Sequence, residues 1–195
     1  MKRNGTYERQ TGETDINLTI CLDGAGKAGV DTGVGFFDHM LTLFAKHGLF
    51  DLDVKAAGDL HIDAHHTVED VGIVLGRALA GALGDKSGIR RYGTACVPMD
   101  EALAMVVVDV SGRPFLQYDA AVPAGMLGGY AAELTEEFLR ALAVNAGLTV
   151  HVRLLSGRNS HHITEAIFKA LGRALSEATR ADERIVGVMS SKGVL

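Results

Sequence analysis

The amino-acid sequence predicts an α+β fold in which one unit, strands then helix then strand then helix, is used twice, with two sheets packed on a shared layer of helices. Three observations carry that expectation. The first is an internal repeat. The fifteen residues from His65 to Leu79 align without a gap on His161 to Leu175 at a constant offset of 96, and eight of the fifteen are identical. The identities include both histidines, the glutamate and the Leu-Gly-Arg-Ala-Leu run. The second is punctuation upstream of each copy, where a stretch with helical apolar spacing closes on a glycine and alternating Leu and β-branched residues follow. The third is segment order: strand-like runs lead each half and a helix closes it, which sends the sheet faces under helices.

In the first half, strands are expected at about 4–9 and 14–22, followed by a glycine-rich loop at 23–35. A helix from Phe36 to Lys46 ends at His47-Gly48, a strand runs from Leu49 to Lys55, and the first repeat copy forms the second helix. The second half begins after a loop at 84–90 and places strands at Tyr92 to Val97, Ala102 to Val110 and Pro114 to Asp119. Asp100 and Ser111-Gly112 supply the turns between them. Beyond a loop at 121–129, a helix from Leu134 to Asn145 closes at Ala146-Gly147, a strand runs from Leu148 to Leu154, and the second repeat copy forms the last helix. Gly48 and Gly147 stand where a helix C-cap favours positive φ. The chain thus divides into halves at 1–88 and 89–195.

Composition narrows the function. The 195 residues carry a net charge of -5, with 47% apolar and 22% charged residues, which suits a globular domain with a sizeable core. There is no basic excess to meet a phosphate backbone and no interleaving of aromatic and basic residues, so no nucleic-acid partner is expected. The most apolar stretch, Val71 to Leu83, is interrupted by Arg77 and three glycines. It falls short of the roughly 20 residues a membrane span needs. The basic residues within Met1 to Arg9 lead into no apolar run, unlike a signal peptide. Cys21 and Cys96, 75 residues apart, lack metal-type spacing and point to a reducing compartment. A cytoplasmic protein is expected.

The eight histidines are clustered, and repetition of His-His-x-x-Glu puts metal-competent groups at equivalent places in both halves. On a helix, His65 and Glu69, or His66 and Glu69, share a face, whereas adjacent histidines diverge by about 100°. Two ions are therefore implied. Imidazole with carboxylate suits a borderline divalent transition metal, and the absence of thiolate argues against a structural zinc cage. His39, on the preceding helix, is a further donor. His47 at a helix end and His151 in a strand are read as structural or supporting groups, and His61 as either. Candidate anion binders are Arg90-Arg91, Arg113, Arg158-Asn159-Ser160 and the tail Ser190-Ser191-Lys192-Gly193, whose hydroxyls and ammonium make sense if it folds onto a phosphate.

Four stretches, Gly35-Phe36-Phe37-Asp38-His39-Met40-Leu41, Asp63-Ala64-His65-His66-Thr67-Val68-Glu69-Asp70, Ser160-His161-His162-Ile163-Thr164-Glu165-Ala166 and Ser190-Ser191-Lys192-Gly193-Val194-Leu195, closely resemble the signatures of the imidazoleglycerol-phosphate dehydratase family. The resemblance runs from about Arg9 to Leu195. It implies the duplicated α+β fold, two Mn2+ per subunit, and a homo-oligomer of 24 subunits with sites between subunits. By the same resemblance, His39, His65, His161 and Glu165 would hold one ion, and His66, Glu69, His162 and Glu137 the other. Glu137 stands where many members carry His. Leu43 replaces a Gln and Met189 a Pro found in other members. Arg91, Arg113, Ser190, Ser191 and Lys192 would bind the phosphate, with Glu13 and Lys169 at further substrate positions.

The implied reaction dehydrates imidazole glycerol phosphate to imidazole acetol phosphate in histidine biosynthesis. The departing proton is not next to a carbonyl, so a simple carbanion has no support. An imidazolate-like ring can instead expel hydroxide to give a diazafulvene-type species, after which a carboxylate, Glu13 or Glu165, takes the proton. A dinuclear phosphoesterase and a non-catalytic metal-binding scaffold are the alternative readings of the same residues.

Overall fold

The computed structural model describes residues 2–195. Its elements run β1 (Asn4–Gln10), β2 (Thr14–Cys21), β3 (Ala28–Asp31), α1 (Gly35–Gly48), β4 (Asp51–Gly58) and α2 (His65–Leu83). They continue β5 (Tyr92–Met99), β6 (Ala102–Asp109), β7 (Phe115–Asp119), β8 (Met126–Leu127), β9 (Tyr130–Ala131), α3 (Leu134–Ala146), β10 (Thr149–Ser156) and α4 (Ser160–Thr179).

Two four-stranded sheets share one topology. The first has the order β1-β2-β4-β3 and the second β5-β6-β10-β7. In each, two antiparallel pairings are followed by one parallel edge pairing, β3 on β4 and β7 on β10. The duplication is therefore architectural as well as sequential. The β1–β2 hairpin pairs Asn4 with Cys21 and the β5–β6 hairpin pairs Tyr92 with Asp109, an offset of 88 on both strands. The left-handed caps that end α1 and α3 are Leu49 and Gly147, an offset of 98. The same offset relates His39 to Glu137.

Each sheet buries one face under helices, as the alternation of buried and partly exposed residues along β2 and β6 records. Helix α2 covers β1 and β2, α4 covers β5 and β6, and the halves are joined by α1 packing on α4 and α3 on α2. Between the helices lies an aromatic cluster. Phe37 stacks on Tyr130 with centroids 5.8 Å apart and meets Phe138 edge-on at 5.4 Å, while Phe138 stacks on Phe168 at 5.2 Å. No helix of the described residues is long and apolar enough to cross a membrane.

Five local expectations are corrected. The loop expected at 23–35 contains β3, because Ala28–Asp31 takes its order from pairing with β4 and not from apolar alternation of its own. The loop at 121–129 likewise reaches into β8, which forms a two-residue ladder with β9 across Gly128 and Gly129. Gly48 is not the cap of α1. Leu49 takes the left-handed conformation at φ 59°, and β4 starts at Asp51 and not at Leu49. Gly48 is needed for space instead: a Cβ there would lie 2.4 Å from the Phe50 ring and 2.9 Å from the Gly172 carbonyl oxygen. The last strand starts at Thr149 and runs on to Ser156, past the expected Leu154, through an irregularity in its pairing with β6.

The contact that sets the α1–α4 spacing is sharpest at Gly172, where a Cβ would meet the Phe44 carbonyl oxygen at 2.4 Å. Gly172→Ala is accordingly expected to destabilise the protein by about 1–3 kcal/mol, as overpacking of a rigid contact does. Gly81→Ala, on α2 with nothing within 4 Å of the new carbon, should gain about 0.5–1 kcal/mol from helix propensity. Denaturant unfolding of the two variants beside the wild type checks both signs; equal stability of Gly172→Ala and wild type would refute the packing argument.

Candidate active site

The packing of α1 on α4 brings three sequence-distant groups together. His39 on α1 and His161 and Glu165 on α4 have donor atoms all within 4.8 Å of one another. His39 Nε2 is 3.1 Å and His161 Nε2 2.9 Å from Glu165 Oε1, and Lys169 Nζ donates to Glu165 Oε2 at 2.6 Å. The histidine side chains are 47% and 46% exposed, whereas the Glu165 side chain is 8% exposed, so the carboxylate forms the floor of an open cluster.

Local sequence fixes these positions. Asp38 accepts from the Thr32 backbone N–H at 2.9 Å and its hydroxyl at 2.6 Å, which pins the loop that starts α1 one residue before His39. Asn159 caps α4, its side-chain oxygen accepting from the His161 N–H at 2.9 Å and the His162 N–H at 3.4 Å. The Phe36 ring meets His161 edge-on at 5.1 Å.

Burial works to raise the Glu165 pKa, but the Lys169 ammonium and the two imidazoles outweigh it and hold the carboxyl at about 2. Glu165 is thus an anion at neutral pH. Lys169 occupies one of its oxygens and leaves the other facing the two histidines. Two imidazoles and a carboxylate that converge on one open position are a donor set that fits a borderline divalent cation.

The adjacent histidines turn away, as helical geometry requires. The His66 Nδ1 lies 2.9 Å from Asp59 Oδ2, and its Nε2 is 3.8 Å from Glu13. The His162 Nδ1 lies 2.7 Å from Glu101 Oε2, and its Nε2 is 3.8 Å from Asp100. These hydrogen bonds raise the pKa of both histidines, and Glu101, which accepts from His162 and also from the Asn159 backbone N–H, is held at about 2. Asp59 and Glu101 were not singled out from the sequence. The hairpin offset of 88 that takes Glu13 to Glu101 is the signal that finds the second; nothing in the local pattern finds the first.

His65 belongs to a different neighbourhood, a cavity of about 580 Å³ lined by Gly33, Leu60, Ile62, Met126 and Glu133 among others. His65, Glu69 and Glu137 are the repeat counterparts of His161, Glu165 and His39, and α2 packs on α3 as α4 packs on α1. Their donor atoms do not converge within 4.8 Å among the described residues. One chain therefore assembles three of the four donors expected for the first ion and leaves the rest apart.

The anion-binding candidates gather around Asp109. Arg91 is bidentate to Asp109 at 2.6 and 3.0 Å and donates its remaining nitrogen to the Met189 carbonyl at 2.7 Å, which ties the Ser190 to Lys192 segment to the sheet. Arg113, 70% exposed, lies 3.7 Å from the same carboxylate. This cluster is at the far end of β10 from the histidines. The Thr149 hydroxyl, at the start of that strand, donates to the Arg113 carbonyl, whereas Ser156, at its end, bonds the Glu101 carbonyl. Eight strand residues separate the two ends by roughly 20 Å.

A duplicated α+β fold with open imidazole–carboxylate clusters, and with a separate group of arginines around Asp109, has the make-up of a histidine- and carboxylate-based enzyme with a candidate metal centre. Comparison with known proteins narrows the class. The family model of imidazoleglycerol-phosphate dehydratase matches residues 32–175, and the chain belongs to that family. It is 65% identical to the imidazoleglycerol-phosphate dehydratase of Acetivibrio thermocellus and 62% identical to that of Desulforamulus reducens, in each case over 195 residues and the whole of both chains. Among solved structures, the enzyme from Staphylococcus aureus matches with a TM-score of 0.83 at 45% identity, covering 92% of this chain and 99% of that one. The enzyme from Pyrococcus furiosus matches with a TM-score of 0.84 at 42% identity, covering 97% and 100%.

A carboxyl held at about 2 in the folded state stabilises the protein above its ordinary value of 4.5, and that contribution is lost as pH falls from 4.5 toward 2. The difference in Tm between metal-free wild type and Glu165→Gln should therefore be largest near neutrality and shrink across that interval. A difference independent of pH would show that Glu165 does not carry the charge assigned to it.

Proposed function

We propose that this dehydratase converts imidazole glycerol phosphate to imidazole acetol phosphate with two Mn2+ per subunit, in a cytoplasmic homo-oligomer of 24 subunits whose active sites are shared between neighbours. The observation that carries the metal-dependent reading is the convergence of His39, His161 and Glu165, from two halves of the chain, on one open position. Divalent cations held by such imidazole–carboxylate sets would act as Lewis acids toward the substrate's imidazole ring.

The chain's own groups divide the remaining work. Glu165, held ionised by Lys169, acts as a ligand and not as the base, because a carboxylate of such low pKa is a weak proton acceptor. Glu13, at the β1–β2 turn, is 56% exposed and 3.8 Å from the His66 ring. It takes the proton from the substrate carbon next to the one that has lost hydroxide; the resulting enol becomes the ketone, and one water is lost overall. Arg113, Ser190, Ser191 and Lys192 hold the phosphate, while Arg91 positions their segment by its bonds to Asp109 and Met189.

The separation of roughly 20 Å along β10 supports the shared site. A small phosphorylated imidazole cannot reach from one chain's histidines to the same chain's Arg113, so the phosphate-binding side chains come from a neighbour. His65, His66, Glu69, Glu137 and His162, which stand outside the one convergent donor set among the described residues, belong in this reading to ligand sets completed across subunits.

Incubation with imidazole glycerol phosphate is expected to yield the ketone. A chelator should abolish the activity and Mn2+ restore it. Release of inorganic phosphate would favour a phosphoesterase, and metal binding without turnover a scaffold. A second measurement tests the shared site. His161→Ala and Arg113→Ala proteins, each inactive or nearly so, should regain part of the wild-type rate when co-assembled, because some mixed sites receive an intact contribution from each. No recovery in verified mixed oligomers would place the whole site in one chain.

A further inference from the structure

Two carboxylates outside the ligand sets, Asp59 and Glu101, each meet one of the paired histidines of the repeat. We infer that Asp59 and Glu101 are positioning residues that hold His66 and His162 by Nδ1 and so present Nε2 of each ring as the metal-binding nitrogen. The inference rests on the metal-dependent reading above and adds residues outside the four stretches that carry the family resemblance.

The argument is one of repeated demand met by different means. His66 and His162 are repeat counterparts, and each has Nδ1 on a carboxylate, at 2.9 and 2.7 Å, with Nε2 free of any bond shorter than 3.8 Å among the described residues. The carboxylates are not repeat counterparts. Asp59 stands in the six-residue connection between β4 and α2, whereas the connection between β10 and α4 has only three residues, 157–159, and carries no acid. In the second half the oxygen comes instead from Glu101, at the tip of the β5–β6 hairpin. Its repeat counterpart, Glu13, lies 3.8 Å from the other nitrogen of His66. Merely capping a helix would not require the same ring nitrogen to be met twice from unrelated elements.

The physical consequence follows from imidazole chemistry. A carboxylate accepting from Nδ1–H fixes the proton there, fixes the ring's rotation, and leaves the Nε2 lone pair for a cation with increased basicity. Both side chains are partly open to solvent, His66 at 33% and His162 at 25% exposure. The two acids differ in a way that gives separate expectations. Asp59 uses Oδ2 on the ring, and Oδ1 is buried without a partner among the described residues, so an amide placed there can keep its oxygen on His66. Glu101 uses both oxygens, Oε2 on His162 and Oε1 on the backbone N–H groups of Arg158 and Asn159, so an amide cannot satisfy both sides.

Mn2+ titrated into metal-free full-length protein, with free Mn2+ followed by electron paramagnetic resonance, tests this. Asp59→Ala should weaken one class of sites by roughly 10–100-fold, the range found when such outer partners are removed, and Asp59→Asn should recover most of the loss. Glu101→Gln should weaken binding about as much as Glu101→Ala, because its NH2 faces either the backbone donors or the ring. The Tm of each metal-free variant serves as the control for a merely structural role. Unchanged affinity in Asp59→Ala and Glu101→Gln, or losses that follow Tm with no rescue by Asn, would overturn the inference. Failure of the wild type to bind Mn2+ would instead overturn the metal-dependent reading itself, and this inference with it.

Discussion

The backbones of α1 and α4 touch at Gly172 and Phe44, and the candidate metal centre depends on that approach. A helix pair held apart by even one methyl group at this point would move His39 away from His161 and Glu165, because rigid helices transmit a shift along their whole length. The same close approach recurs between α2 and α3, where a Cβ on Gly76 would lie 2.7 Å from the Asn145 side chain. The glycine inside each Leu-Gly-Arg-Ala-Leu run is therefore a spacing device, and its repetition preserves the geometry of two helix pairs at once.

Charge then assigns roles to carboxylates that look alike in the sequence. Glu165 is buried, yet Lys169 and two imidazoles keep it ionised, and the lysine also takes one oxygen out of play. Its repeat counterpart Glu69 has no such lysine, since Ile73 stands at the place equivalent to Lys169. The two halves are thus equivalent in backbone and unequal in electrostatics. Asp109 shows the same economy at the other end of the sheet, where one carboxylate orders Arg91 and lies close to Arg113.

Placing histidines and arginines at opposite ends of β10 makes a lone subunit incomplete under the proposed function. Such an arrangement couples association to catalysis without any moving part. It also accounts for apolar side chains left in the open beside His65, with Ile62 63% and Met126 65% exposed in the single chain, which a neighbouring surface would cover.

The sequence by itself determined the duplication, the kind and order of nearly all elements, and the set of residue types able to ligate a cation, because helix spacing, strand alternation and a fixed repeat offset are local properties. It also carried the family resemblance, through four short motifs. Tertiary structure alone decided that Leu49, and not Gly48, bends backward at the end of α1, since the space at Gly48 is filled by Phe50 and by a carbonyl from another helix. It decided that Ala28–Asp31 is a strand, whose only warrant is the neighbouring β4. Above all it decided which donors meet. His39 and Glu165 are 126 residues apart, and their encounter depends on the crossing of two helices, on a capping asparagine and on a lysine one turn away, none of which a linear pattern encodes as a distance.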